Sequence, residues 1–160
     1  MKNIILAIGV MILSLSLLSV VYAGTDMEGS DLSGSSLKKS NLSGVNLKNA
    51  TLRNVNFQEA NLSNTIFYLS ILRGSDFRNA NLKGADLSAC DLSDTNFGGA
   101  DLTEANISGS NLQGANFKEA ILKGTDLGST VWPYVICPDG TLSNEHGFSC
   151  KDHLSTSKKK

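Results

Sequence analysis

The chain has 160 residues, enough for one domain. Its 14 basic and 15 acidic residues nearly cancel, which excludes the basic excess of a polyanion-binding protein. Residues 1–23, MKNIILAIGVMILSLSLLSVVYA, stand apart from the rest: one early lysine, Lys2, a long apolar run, and small residues before Gly24. This is the pattern of a secretory signal peptide, with cleavage expected after Ala23. The run from Ile4 to Val21 is long for that role, so an uncleaved membrane anchor is the alternative reading. Cleavage would remove Lys2 and leave 13 basic against 15 acidic residues, a charge of −2.

From Thr25 to Ser129 the chain divides into 21 units of five residues without insertion or deletion, beginning TDMEG, SDLSG, SSLKK, SNLSG. The central residue of every unit is Leu, Phe, Ile or Met; the residue two before it is Ala, Ser, Thr, Val or Cys. The residue just before it is usually Asp or Asn. A period of five fits neither a helix nor a flat strand. A helix would scatter the central residues around its circumference, and a strand would send successive ones to opposite faces. The chain must therefore turn after every unit, so that each central side chain points to a common axis. Phe57, Phe77, Phe97 and Phe117 recur every 20 residues, as do Leu42, Leu62, Leu82, Leu102 and Leu122. Four units thus close one coil of square section, and coils stack at about 4.8 Å to give a rod on the order of 25 Å long.

These units resemble the pentapeptide-repeat family, whose motif is roughly A(D/N)LXX. The resemblance spans residues 25–129. It implies an all-β solenoid, a right-handed quadrilateral β-helix of about five coils; the handedness comes from the resemblance alone. The repeat region is read as residues 24–134, with a tail over 135–160. A single unit cannot fold alone, so stability should come from neighbouring coils. Asn41, Asn61 and Asn81 on one face, and Asn56, Asn96 and Asn116 around Asp76 on another, should form side-chain ladders. Cys90 takes a small inward position and should be a sheltered thiol.

Beyond the repeat, Trp132 should plug the column of residues 32, 52, 72, 92 and 112, and Pro133 should stop the ladder. In an exported protein Cys137 and Cys150 should form a disulfide that closes the tail. Lys158–Lys160 read as a solvated end. The N-terminal coil has no equivalent cover and reads as a surface for a homodimer.

No catalytic set emerges. His146 and His153 lie in the tail, outside any catalytic or zinc-binding pattern, and PDGT around Asp139 reads as a turn rather than a calcium loop. No cofactor and no metal site are expected.

One stretch breaks the pattern. In TIFYLSILRG, residues 65–74, apolar Ile66, Tyr68, Leu69 and Ile71 fall on outward positions beside Arg73. Neighbouring coils offer polar Asn46, Lys48, Asp86 and Ser88 there. A small apolar patch with a polar rim fits a binding site, and drift of exposed residues explains it equally. The expected function is that of a non-enzymatic scaffold, exported to periplasm or medium, that meets a protein or envelope partner. The resemblance implies a second reading, a cytoplasmic duplex mimic that binds type II topoisomerases. The signal peptide opposes it, and so does the charge of the repeat region, 12 acidic against 9 basic residues. No nucleic-acid partner is expected, and a membrane contact only if residues 1–23 are retained.

Overall fold

The computed structural model describes residues 24–130, 132–143 and 150. The expected signal peptide, both histidines and the terminal lysines lie outside these residues. Each five-residue unit builds one side of a square coil. Its bridging residue, just before the central one, pairs in parallel with the residue 20 positions on. The first face runs from Asp26↔Asn46 to Asn106↔Asp126, and the second from Asp31↔Thr51 to Asp91↔Asn111. The third runs from Ser36↔Asn56 to Asn116↔Ile136, and the fourth from Asn41↔Asn61 to Asp101↔Ile121.

The corners explain why five residues suffice. The last residue of each unit has positive φ, as at Lys39 (60°), Asn79 (57°) and Gly84 (63°), which is the signature of a type II turn. The next N–H closes the turn on the central carbonyl, as Ala60 does on Phe57 at 3.0 Å. Asp or Asn before the central residue completes the corner. Its Oδ1 accepts the N–H two residues on, as Asp31 does from Ser33 at 3.0 Å and Asn96 from Gly98 at 3.0 Å. Asn61 and Asn81 also donate to Asn41 and Asn61, at 2.9 and 3.2 Å, forming the expected ladder on the fourth face. The third face differs from expectation. Asp76 interrupts its asparagines, and its carboxylate accepts from Gln58 Nε2 at 2.6 Å and from Arg78 Nη2 at 2.7 Å instead.

Coils are joined by backbone bonds at every unit. Phe57 N–H donates to Asp76, Asp76 N–H to Val55, and Glu59 N–H to Arg78, at 2.8, 2.9 and 3.0 Å. The small inward residues add side-chain stitches between coils. Ser70 Oγ donates to Leu47 O at 2.6 Å and accepts from Ala50 N at 3.1 Å. Ser75 does the same with Leu52 O and Val55 N.

The axis is filled by stacked rings. Phe57–Phe77, Phe77–Phe97 and Phe97–Phe117 lie 4.8, 5.0 and 4.8 Å apart between centroids, nearly parallel. Phe67, from the opposite face, sets its ring edge-on to Phe57 and Phe77 at 6.1 and 6.2 Å. Trp132 is buried and packs against Phe117 at 5.5 Å.

Pro133 does not stop the ladder. One further unit, Val135 to Asp139, stacks below the third face: Phe117 N–H donates to Ile136 O at 2.8 Å, and Cys137 takes the buried central position. Pro133 and Pro138 occupy the position whose N–H would otherwise bond to the bridging Asp or Asn. Ile136 can therefore stand where an Asp or Asn usually does.

The tail then folds back antiparallel, Ile136 against Leu142. Cys137 N–H donates to Thr141 O at 2.8 Å. Ser143 Oγ accepts from Val135 N at 3.0 Å and donates to Trp132 O, reproducing the stitch that Ser75 makes to Val55 and Leu52 inside the rod. The Cys137–Cys150 disulfide, with 5.5 Å between Cα atoms, ties this segment down. The tail thus imitates a further coil on one face.

Phe77 meets rings on three sides, so Phe77→Ala should cost about 3–5 kcal/mol in denaturant unfolding. Phe77→Leu should cost clearly less, because leucine fills most central positions of the other three columns.

Candidate interaction face

The broken stretch lies on the first face and its corner. The first-face bridging residues of adjacent coils, Asn46 and Asp86, bond to the backbone N–H of Lys48 and Ser88. Ile66 has no such group to offer Tyr68. Ile66, Tyr68 and Leu69 are 41%, 37% and 46% exposed, and Ile71, on the second face, is half-buried. Ile121, on the fourth face, is 50% exposed but stands apart from this cluster in the chain. The structure therefore brings together the apolar residues the sequence singles out.

Leu69 carries the sharpest local signal. It sits at the corner position with φ 62°. That position is otherwise held by Gly, Asn and other residues, most of them polar, and the left-handed region costs a side-chain-bearing residue roughly 1–2 kcal/mol. Its N–H bond to Ser88 O is long, at 3.3 Å. A branched apolar side chain is thus held outward against the local preference of the backbone.

The rim is polar and partly tethered. Lys48 Nζ lies 5.6 Å over the Tyr68 ring, a cation–π contact across coils. Arg73 Nη2 pairs with Asp94 Oδ2 at 3.1 Å, one coil on. Arg53, one coil before Arg73, forms no ion pair among the described residues. Arg53, Asn54, Arg73, Gly74 and Asp94 line a shallow cleft beside the patch. Gly74 is required there twice over. Its φ is 71°, and a Cβ would come within 2.3 Å of Asn54 Oδ1. Asp94 is the residue sequence reasoning missed; only its spacing of 21 from Arg73 could have signalled it.

Behind the patch, Cys90 Sγ donates to Phe67 O at 3.0 Å, filling the slot that Ser70 and Ser75 use elsewhere. Burial pushes its thiol up to about 12. Among the described residues no cluster of His, Cys, Asp and Glu could hold a metal ion.

A closed ladder of five-residue sides, four to a coil, defines the class as a pentapeptide β-solenoid. The family's sequence pattern matches twice, as a pentapeptide repeat region over residues 18–87 and as pentapeptide repeats (8 copies) over residues 95–130. The chain belongs to the pentapeptide-repeat family. Among solved structures it is similar to alr5209, a pentapeptide repeat protein from Nostoc PCC 7120. The two share 27% identity over 65% of this chain and 85% of that one, with a TM-score of 0.56. It is also similar to Rfr23 from the cyanobacterium Cyanothece 51142, at 26% identity over 68% and 84% of the chains and a TM-score of 0.42. A third is a pentapeptide repeat protein from the Arabidopsis thaliana thylakoid lumen, at 28% identity over 78% and 77%, with a TM-score of 0.31. A search of curated proteins finds no match.

Cys90 should resist alkylation in the native protein at pH 9 and react once the chain is unfolded. The sign follows from its raised value: the unfolded thiol ionises first, so stability falls as pH rises above about 9. Cys90→Ser should remove that part of the alkaline loss, read by melting across pH 7 to 10.5.

Proposed function

We propose that this chain is a non-enzymatic repeat scaffold, a right-handed quadrilateral rod of about five coils, exported to the periplasm or medium. Its first face binds a protein or envelope partner. The observation that carries the reading is Leu69. A corner that elsewhere carries Gly, Asn and mostly other polar residues here holds an exposed leucine at positive φ, beside Ile66, Tyr68 and Ile71. Positive φ recurs at every corner, so what marks Leu69 is a branched apolar side chain left exposed at a position held mostly by Gly and polar residues. Drift would accumulate neutral changes and would not gather three further apolar side chains around Leu69. Arg53, with no ion pair of its own among the described residues, and Arg73 beside it favour a partner that offers an acidic group next to an apolar one.

The duplex-mimic reading finds no support in the charge distribution. The ion pairs Lys38–Glu59, Arg73–Asp94, Arg78–Asp76 and Lys83–Asp101 place bases among acids along the rod, where a mimic needs a continuous negative surface.

Leu69→Asn tests the reading with opposite signs. Asparagine tolerates positive φ, so the variant should gain up to about 1 kcal/mol of stability. It should also lose the partner that the native protein crosslinks in cells. Replacing Tyr68, Leu69 and Ile71 together by serine should abolish that crosslink while the melting temperature stays nearly unchanged. A variant that keeps the crosslink would refute the site. Recovery of the chain from the cytosol bound to a type II topoisomerase would refute both export and the partner class.

A further inference from the structure

Among the described residues, the first coil ends in an unfilled hydrogen-bond frame. In the coils that follow, each bridging residue bonds twice to the coil before it. Asn46 N–H donates to Thr25 O at 2.9 Å, and Asn46 O accepts from Met27 N at 2.8 Å. The equivalent residues of the first coil, Asp26, Asp31, Ser36 and Asn41, make neither bond among the described residues, and all four are exposed. Ser30 and Ser35 repeat the pattern in their side chains. Their Oγ atoms are buried without a partner, whereas Ser70 and Ser75 at the same positions stitch to the coil before them. Buried polar groups are normally satisfied, and each exception calls for an explanation. The other end of the rod is treated differently, since residues 141–143 pair with the third face there.

A residue that turns both N–H and C=O to one side is the hydrogen-bonded member of an antiparallel pair, exchanging two bonds with its counterpart. A second copy rotated by 180° places four such residues opposite four such residues. The frame is therefore self-complementary, as a two-fold interface must be. The tail on the opposite end stands in the way of head-to-tail stacking on one face. We propose that two copies of this chain join end to end through their first coils.

Charge fixes the register. A two-fold axis crossing a square end passes through two opposite faces or two opposite corners, giving four pairings. An axis through the first and third faces sets Asp26 against Asp26. One through the second and fourth sets Asp31 against Asp31. One through the corner between the first and second faces sets Asp26 against Asp31. The remaining axis, through the corner between the fourth and first faces, sets Asp26 against Asn41 and Asp31 against Ser36, so no acid faces an acid. Like charges directly opposite destabilise a pair, and this last register is the one the dimer adopts.

The test uses the chain as an expressing cell processes it, with its N-terminus determined by mass spectrometry. Sedimentation equilibrium should give a dimer. Asn41→Asp opposes two acid pairs across the interface and should weaken the dimer about tenfold. Asn81→Asp, the same change on the same face two coils away, should leave it unchanged. Asp is common at this position, so both variants should fold. Mixing Asp26→Cys with Asn41→Cys protein should give an oxidised heterodimer, and neither variant alone should crosslink to itself. A protein that stays monomeric throughout the concentration series, an Asn41→Asp dimer as tight as the native one, or self-crosslinking of Asp26→Cys would overturn the proposal.

Discussion

A corner every five residues, with one residue held at positive φ, is the constraint on which the rest of this rod depends. It turns the chain just enough for each central side chain to face the axis, and four such corners return the chain beside itself. From that closure follow the parallel bridges at a separation of 20 residues, the column of stacked phenylalanines and the inter-coil backbone bonds. No unit buries its own side chain. Each relies on the coils above and below, so stability behaves as a sum over neighbours and the two ends are the costly places.

The ends are managed in contrasting ways. At the C-terminal end the chain reverses and lays residues 141–143 against Val135–Cys137, with Ser143 making the bonds that a stitching serine makes within the rod. The disulfide from Cys137 anchors that segment to the base of the phenylalanine column. Among the described residues, the N-terminal coil carries bridging backbone groups without an inter-coil partner and buried, unpartnered hydroxyls at Ser30 and Ser35. Between these ends the faces are mostly polar, which makes the cluster around Leu69 conspicuous. The apolar side chains there are positioned by the same corner geometry that elsewhere favours glycine and asparagine.

Much of this was legible in the sequence, for a physical reason. A buried central position accepts only bulky apolar residues, so the period of five survives in plain view, and the phenylalanines disclose the period of 20. Ile66, Tyr68, Leu69 and Ile71 were visible as departures from that rule. What stayed hidden depends on relations between coils rather than within a unit. The stitch from Ser70 to Leu47 spans 23 residues, and the ion pair from Arg73 to Asp94 spans 21. Gly74 must be glycine because Asn54, one coil earlier, leans over it. Pro133 reads locally as a stop, yet its missing N–H falls at the turn position whose N–H elsewhere bonds the side chain of a bridging Asp or Asn, as Gly98 does Asn96. The antiparallel tail has no period, so no repeat argument could reach it.

The closure of four units per coil can be tested by deletion. Removing residues 80–99 takes out one full coil and leaves every column in register, with Phe77 now stacked on Phe117. Removing residues 80–84 takes out a single unit, preserves the period of five, and shifts every later residue by one face. The longer deletion should unfold cooperatively and be the more stable of the two in denaturant, although it removes four times as much chain. If the five-residue deletion proves the more stable, the columns are not what holds the rod together, and this account of the fold is wrong.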